Sequence, residues 1–230
     1  MSANIERKYL NVASSYKILD GFVNFDNNIL LYFLKYPFLI KFLPESYRNL
    51  LQIYINAIKA GGKLIKHDCR KRLPIDDNTV DHILCSHFLE HVFPDEADCI
   101  LYDFWRVLKN NGTLHIIVPD IYHQAKNYIA SYGNNGSEAD NFIKSTLLTR
   151  ESRGSLKYRI MELIGSFGLQ HRWMYDKYSM SLKLQKIGFV VHDSMIYHPT
   201  YDYYIDDEAS VHIRVVPGAN INNFNDLKLS

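Results

Sequence analysis

The stretch from Asp77 to Asp120, DNTVDHILCSHFLEHVFPDEADCILYDFWRVLKNNGTLHIIVPD, restricts what this chain can fold into more than any other part of it. Val80–Cys85 is a short apolar run rich in strand formers. Between Asp95 and Leu108, the residues Ala97, Ile100, Leu101, Phe104 and Leu108 recur at helical spacing and make one apolar face. Asn110-Asn111-Gly112 is expected to stop that helix, because Asn and Gly accept left-handed backbone. Thr113–Val118 then reads as a second strand, ended by Pro119. A helix this short between two strands implies a parallel pair joined by a right-handed crossover. Ligands of such sheets sit beyond the carboxyl ends of the strands, which here are Ser86-His87 and Pro119-Asp120.

The same alternation continues on both sides. Lys8–Val12, Phe22–Phe25 and Lys63–His67 read as strands, with Asp26 and Asp68 at the ends of the last two. Ile29–Ala60 is helical in tendency, interrupted at Pro37 and Pro44. Its second part carries the stripe Leu50, Leu51, Tyr54, Ile55, Ile58 and is capped by Gly61-Gly62. Tyr122–Tyr132 and much of Ser137–Gly168 read as helix. Lys177–Lys186 is a helix between an Asp176 cap and Gly188. Phe189–His192 and the alternating Val211–Val216 are the last strands, the final one antiparallel. The expected fold is α/β, a Rossmann-like three-layer sandwich with a mostly parallel sheet and an antiparallel last strand. It forms one domain, residues 1–230, with a helical insertion at about 29–60.

Bulk properties narrow the function. The 230 residues, 47% hydrophobic, suffice for one full core. A formal net charge of +1 and no basic stripe argue against a nucleic-acid partner. The three cysteines, Cys69, Cys85 and Cys99, are odd in number and read as reduced thiols. Met1–Lys8 is polar and shows no signal peptide, so a cytoplasmic location is expected. The segment Ile29–Leu43, ILLYFLKYPFLIKFL, is interrupted by Lys35, Pro37 and Lys41 and is too short to span a bilayer. Its aromatic residues beside lysines leave a peripheral membrane contact open. The expectation is an insertion that packs on the domain and covers the acceptor side of the pocket. Tyr201–Tyr204 would suit a sugar or aromatic pocket.

Ser86-His87-Phe88-Leu89-Glu90-His91, followed by Arg106-Val107-Leu108-Lys109 and Gly112, resembles the fourth and fifth strands of class I S-adenosylmethionine-dependent methyltransferases. The resemblance extends to Tyr9–Asp26, Lys63–Pro74 and His171–Val191, about two thirds of the chain. It implies S-adenosylmethionine as cofactor, bound by Asn11, Ala13, Ser14, Asp26, Asp68, Cys69 and Ser86. Asp26 matches the family's ribose-binding acid, and Asp68 the position beside the adenine. The family's glycine-rich first loop is replaced by Leu10-Asn11-Val12-Ala13-Ser14-Ser15. Ala and Ser still permit close backbone approach, but they lack glycine's dihedral freedom. That departure motivates a rival reading, a non-catalytic binding protein on the same fold.

His87, Glu90 and His91 lie at i, i+3 and i+4 and share one face if a helix starts at Ser86, a plausible N-cap. The letters also spell the His-x-x-Glu-His signature of certain zinc peptidases, but that motif needs the middle of a long helix, and Pro94 follows too soon. Three readings stay open. The cluster shapes the turn, or His87 is a general base with His171 beside it, or the residues hold an ion. The third follows from a resemblance to O-methyltransferases acting on sugar or ribose hydroxyls. It implies a divalent metal ion on His87, Glu90, His91 and His171, whose nitrogen-rich set favours zinc, manganese or iron over magnesium. The resemblance further implies O-methylation of a small molecule or glycan, such as a sugar hydroxyl in polysaccharide biosynthesis.

Overall fold

A computed structural model describes residues 8–149, 170–191 and 209–218. The expected helical stretch up to Gly168 is described only to residue 149, and Tyr201–Tyr204 lie outside the described residues. The strands are β1 (Tyr9–Val12), β2 (Val23–Asp26), β3 (Lys63–Lys66), β4 (Val80–Ser86), β5 (Leu108–Pro119), β6 (Phe189–Val191) and β7 (Ser210–Pro217). The helices are α1 (Glu45–Lys59), α2 (Pro94–Val107), α3 (Ile121–Ser131), α4 (Glu138–Thr146) and α5 (Lys177–Ile187). The seven strands order as β3-β2-β1-β4-β5-β7-β6. The first five pair in parallel, and β7 runs antiparallel to both β5 and β6. This is the expected mixed sheet.

The order of connections fixes the layers. β2 to β3 steps towards one edge and β4 to β5 towards the other, so right-handed crossovers put α1 and α2 on opposite faces. The α2–α5 face holds the main core. Leu10, Val12, Phe25, Ile83, Ile116 and Ile213 project from the strands onto Leu101, Phe104, Met180 and Leu184. Burying such side chains contributes roughly 1.5–3 kcal/mol each, which is why these helices have one strongly apolar side. The other face has a smaller apolar cluster of Phe22, Leu84 and Ile117, interleaved with the buried polar residues Asn11, Asn24, His82 and His115.

Those two asparagines replace a helix. β1 and β2 are joined by residues 13–22 alone, short for a parallel connection. Asn11 Nδ2 donates to the Lys17 carbonyl and to Asn24 Oδ1, both at 2.8 Å. Asn24 Nδ2 donates to the Leu19 and Lys63 carbonyls, each at 3.0 Å, tying the loop to β3. Every donor of the pair therefore has a partner where an unpaired buried amide would cost about 1–3 kcal/mol.

Two local expectations are corrected. Asn110-Asn111-Gly112 does not end α2 in left-handed backbone. The helix stops at Val107, and β5 starts at Leu108 and runs through these residues, with an irregular register between Val80↔Leu108 and His82↔Thr113. Gly112 is needed for space: a Cβ there would lie 2.9 Å from both the Val80 carbonyl oxygen and Leu108 Cδ2. No α-helix starts at Ser86, which ends β4. A single 3-10 turn, Leu89–His91, follows. The insertion is helical and broken at Pro37 and Pro44 as expected, its first two parts being 3-10 helices, Ile29–Lys35 and Pro37–Phe42, and its last part α1. Pro37 and Pro44 lack the N–H that a continuous helix would use.

Candidate active site

The ends of β1, β2 and β3 bring the expected cofactor residues together. Beyond Val12 the chain turns through Ala13-Ser14-Ser15, with φ of 53° at Ala13 and 49° at Ser15. Both lie in the left-handed region, which costs an L-residue roughly 1–2 kcal/mol. The Ser14 N–H donates to the Phe25 carbonyl at 2.8 Å and holds this loop against β2. Asp26, 8% exposed, accepts from the Asn28 N–H at 2.6 Å. Burial raises the Asp26 carboxyl above its ordinary range, against the opposing hydrogen bonds from the Asn28 and Ser15 amides. Tyr54 of α1, fully buried beside it, has its phenol raised by burial and by the Asp26 charge. Tyr54 was not among the expected site residues. Its place in the α1 stripe marks it only as core.

Asp68, beyond β3, is shifted the opposite way from Asp26. The Arg70 guanidinium forks onto both Asp68 oxygens at 2.9 and 2.7 Å. That pair holds the Asp68 carboxyl below its usual range. An amine approaching Asp68 would share it with Arg70. The Cys69 thiol is buried against the Ala13 backbone, and burial pushes it up to about 12, so it stays a neutral packing group. Ser86 pairs with Ile117 at the end of β4. Asn11 is the exception among the expected set, since its amide is engaged in the loop network with Lys17 and Asn24.

A second cluster stands beyond β4. His87 takes φ of 52°, a left-handed backbone strained for histidine, and its N–H donates to the Ile117 carbonyl at 2.9 Å. The 3-10 turn then carries Glu90 inward, 1% exposed. The loop at 171–173 clasps this turn, because the Arg172 and Trp173 N–H groups both donate to the Glu90 carbonyl, at 2.6 and 3.1 Å. Glu90 Oε1 lies 3.4 Å from His87 Nδ1 and 3.8 Å from His91 Nε2. The His91 and His171 rings meet edge to face with centroids 5.0 Å apart.

One ligand atom from each of Glu90, His91 and His171 falls within a 4.8 Å set. Neither Glu90 oxygen accepts a hydrogen bond from a described residue, nor does the buried Tyr175 hydroxyl have a partner there. A carboxylate buried this way costs several kcal/mol unless a cation compensates it. The imidazoles are oriented from behind. His91 Nδ1 donates to the Gln170 carbonyl at 3.2 Å and His171 Nδ1 to the Thr146 carbonyl at 2.7 Å. Only an N–H can donate to a carbonyl, so both Nε2 atoms are left as lone-pair donors. Burial lowers the His171 pKa, against the attraction of Glu90, and favours its neutral form. The donor set therefore fits a divalent ion.

The structure thus gathers Glu90, His91 and His171 and places His87 at their open side, 44% exposed at its side chain. They meet across a turn and a distant loop, not along one helix. Tyr175, missed by the sequence reading, closes the same region through its bridge to Asp120 at the end of β5. A cleft of about 500 Å³ lies elsewhere, at the opposite ends of the strands, lined by Asp77, Asn78, Trp105, Arg106, Leu108 and Pro217 among others.

Comparison with known proteins agrees with this fold. Residues 47–116 match the family model described as a methyltransferase domain. The PH0226 protein of Pyrococcus horikoshii OT3 superposes with a TM-score of 0.52 at 15% identity, covering 91% of this chain and 81% of that one. A putative methyltransferase of Haloferax volcanii, solved in complex with the Trm112 methyltransferase activator, gives a TM-score of 0.50 at 10% identity, covering 95% and 85%. A comparison with curated proteins gives no match. The structural likenesses speak for the fold, and the matched segment runs from α1 through the Ser86–His91 motif into β5. Residues 47–116 thus carry the match to a methyltransferase domain, and the strand order is that of a Rossmann-like methyltransferase fold.

Proposed function

We propose that the protein transfers the methyl group of S-adenosylmethionine to a hydroxyl of a small molecule or glycan. One observation carries this reading: Glu90 is buried, neither of its oxygens accepts a hydrogen bond from a described residue, and three imidazoles surround it beyond the end of β4. Ala13, Ser14, Asp26, Asp68, Cys69 and Ser86 would hold the cofactor, with Asp26 accepting from the ribose hydroxyls. The missing glycines are no conformational bar, because Ala13 and Ser15 already adopt left-handed backbone. This supports an enzyme over the rival binding protein.

In the reaction the acceptor oxygen forms a bond to the methyl carbon as the carbon–sulfur bond breaks, and the electron pair leaves with sulfur. The hydroxyl proton must go to a base. His87 is exposed enough to meet an acceptor, and Glu90 at 3.4 Å would stabilise the imidazolium it becomes. Glu90, His91 and His171 would hold a divalent ion, zinc, manganese or iron by their nitrogen content, which would supply Lewis-acid polarisation of the acceptor oxygen. Tyr175 would complete the wall of this chamber. The 3-10 segment Ile29–Phe42 leaves β2 directly after Asp26 and would border the acceptor side.

Metal analysis and calorimetry test the reading together. Wild type should carry or take up about one equivalent of zinc, manganese or iron, and His171→Ala should lose it while still binding S-adenosylhomocysteine. If neither metal-treated wild type nor untreated protein retains an ion, the ion is refuted and His87 with Glu90 remains as the base. If His87→Ala and His171→Ala both keep full methyl transfer but melt earlier, the cluster is structural.

A further inference from the structure

We propose that the surface formed by the insertion after β2 docks the protein onto an anionic membrane. The first observation is charge. Residues 27–66 contain six cations, Lys35, Lys41, Arg48, Lys59, Lys63 and Lys66, against the single acid Glu45, a net of +5. The whole chain carries +1, so all other residues together carry −4. No acid occurs between Asn27 and Pro44. A nearly neutral protein thus carries a local excess of positive charge on this segment.

The second observation is what projects from that segment. Leu30 and Leu31 are buried and pin it to the domain. Phe38 and Phe42 stand 65% and 74% exposed, and Ile29, Tyr32 and Tyr36 are exposed beside them. Large apolar side chains gathered on a surface mark an interaction site. Lysines accompany the rings: Lys41 Nζ lies 5.0 Å from the Phe42 ring centre and Lys66 Nζ 4.3 Å from that of Tyr32. Rings that enter the acyl boundary with ammonium groups at headgroup level are the pattern of interfacial binding. Among the described residues no helix is long and apolar enough to cross a bilayer. The short 3-10 helices would insert as a shallow wedge.

Charge complementarity selects the occupant. A second copy would bring another +5 onto the first, which repels across a two-fold axis. An anionic lipid surface attracts the lysines and accepts the rings in one contact. The segment leaves β2 directly after Asp26, so docking would turn the cofactor end of the sheet towards the bilayer. That consequence rests on the methyl-transfer reading and would favour an acceptor held at a membrane. The docking itself does not depend on that reading.

The full chain is tested by co-sedimentation with sucrose-loaded vesicles of phosphatidylcholine alone and with phosphatidylserine added. Wild type should pellet with the anionic vesicles, be released by salt, and remain in solution with phosphatidylcholine alone. Phe38→Ser/Phe42→Ser and Lys35→Glu/Lys41→Glu should each weaken partitioning by about tenfold or more. Affinity for S-adenosylhomocysteine, measured on the same samples, should be unchanged if the variants are folded. Lost cofactor affinity in wild type would refute the methyl-transfer reading and leave docking standing. Wild type that ignores anionic vesicles, binds both kinds equally, or binds them as well after either double substitution overturns the proposal. So does a dimer, seen by light scattering, that Phe38→Ser/Phe42→Ser dissociates, or tighter binding to single-stranded RNA than to the vesicles.

Discussion

His115 should make the fold acid-sensitive well above the range where carboxylates titrate. It lies on β5 at 2% exposure, with neither ring nitrogen hydrogen-bonded to a described residue. Burial, and then the charges of Arg214, His212 and His82, lower its pKa from 6.5 to about 3. The folded protein therefore keeps this ring neutral where the unfolded chain already protonates it. Stability from this group is full above the unfolded value, near pH 6.5, and is lost as pH falls towards 3. One pKa unit corresponds to about 1.4 kcal/mol, so by pH 5 the loss is about 2 kcal/mol. Urea unfolding followed by tryptophan fluorescence would read this as a midpoint lower by roughly 1 M at pH 5 than at pH 8, for a slope near 2 kcal/mol/M. His115→Leu fills the same volume without a titrating ring and should narrow that difference by the share His115 contributes, roughly 1 M, while remaining at least as stable at pH 8. If wild type and His115→Leu lose stability in parallel between pH 8 and pH 5, the reasoning is refuted.

Ala13→Gly and Ser15→Gly should each raise stability by about 0.5–1 kcal/mol, because glycine takes their left-handed backbone without strain; a lower melting temperature for both would show the strain is absent. Gly112→Ala should destabilise by about 1–3 kcal/mol through its collision with the Val80 carbonyl and Leu108, read by thermal melting, and a neutral result would contradict the close packing there. Phe104→Ala, which opens the α2 core, should cost about 3–5 kcal/mol in chemical denaturation. His87→Ala should slow methyl transfer to an identified acceptor about 10²–10⁴-fold with little change in melting temperature, and full activity would remove His87 from the mechanism.

The centre of the sheet was legible because β4 and β5 are buried and α2 is amphipathic. Val80–Ser86 and the Ala97-Ile100-Leu101-Phe104 stripe carry their periodicity openly, but Leu108, expected on that helical face, begins β5 and Val107 takes its place. Asp176 and Gly188 bracket α5 as capping chemistry requires: the Asp176 carboxylate accepts from the Ser179 N–H at 2.7 Å, and Gly188 has φ of 102°. Gly112 misled because its role is steric and depends on Val80, which only the strand pairing brings near. The insertion was legible in its helical segments and in its breaks at Pro37 and Pro44, and only the 3-10 geometry of its first two parts had no local signal. Asn11 reads from the sequence as part of a binding loop, yet its partner Asn24 becomes visible only when β1 and β2 pair. The imidazole cluster was legible in composition but not in form, since His171 reaches Glu90 through the clasp of the 171–173 loop onto a turn. Tyr54 and Tyr175 carry no local signal separating a site wall from core.

Calorimetric titration with S-adenosylhomocysteine, comparing wild type with Asp26→Ala, tests the central claim most directly. The cofactor end assembled by Ala13, Ser14, Asp26 and Asp68 predicts saturable binding by wild type. It also predicts a loss of about 1–3 kcal/mol, roughly 5- to 150-fold in Kd, when the Asp26 carboxylate is removed. Wild type that binds no S-adenosylhomocysteine, or Asp26→Ala that binds it with unchanged affinity, would contradict the account.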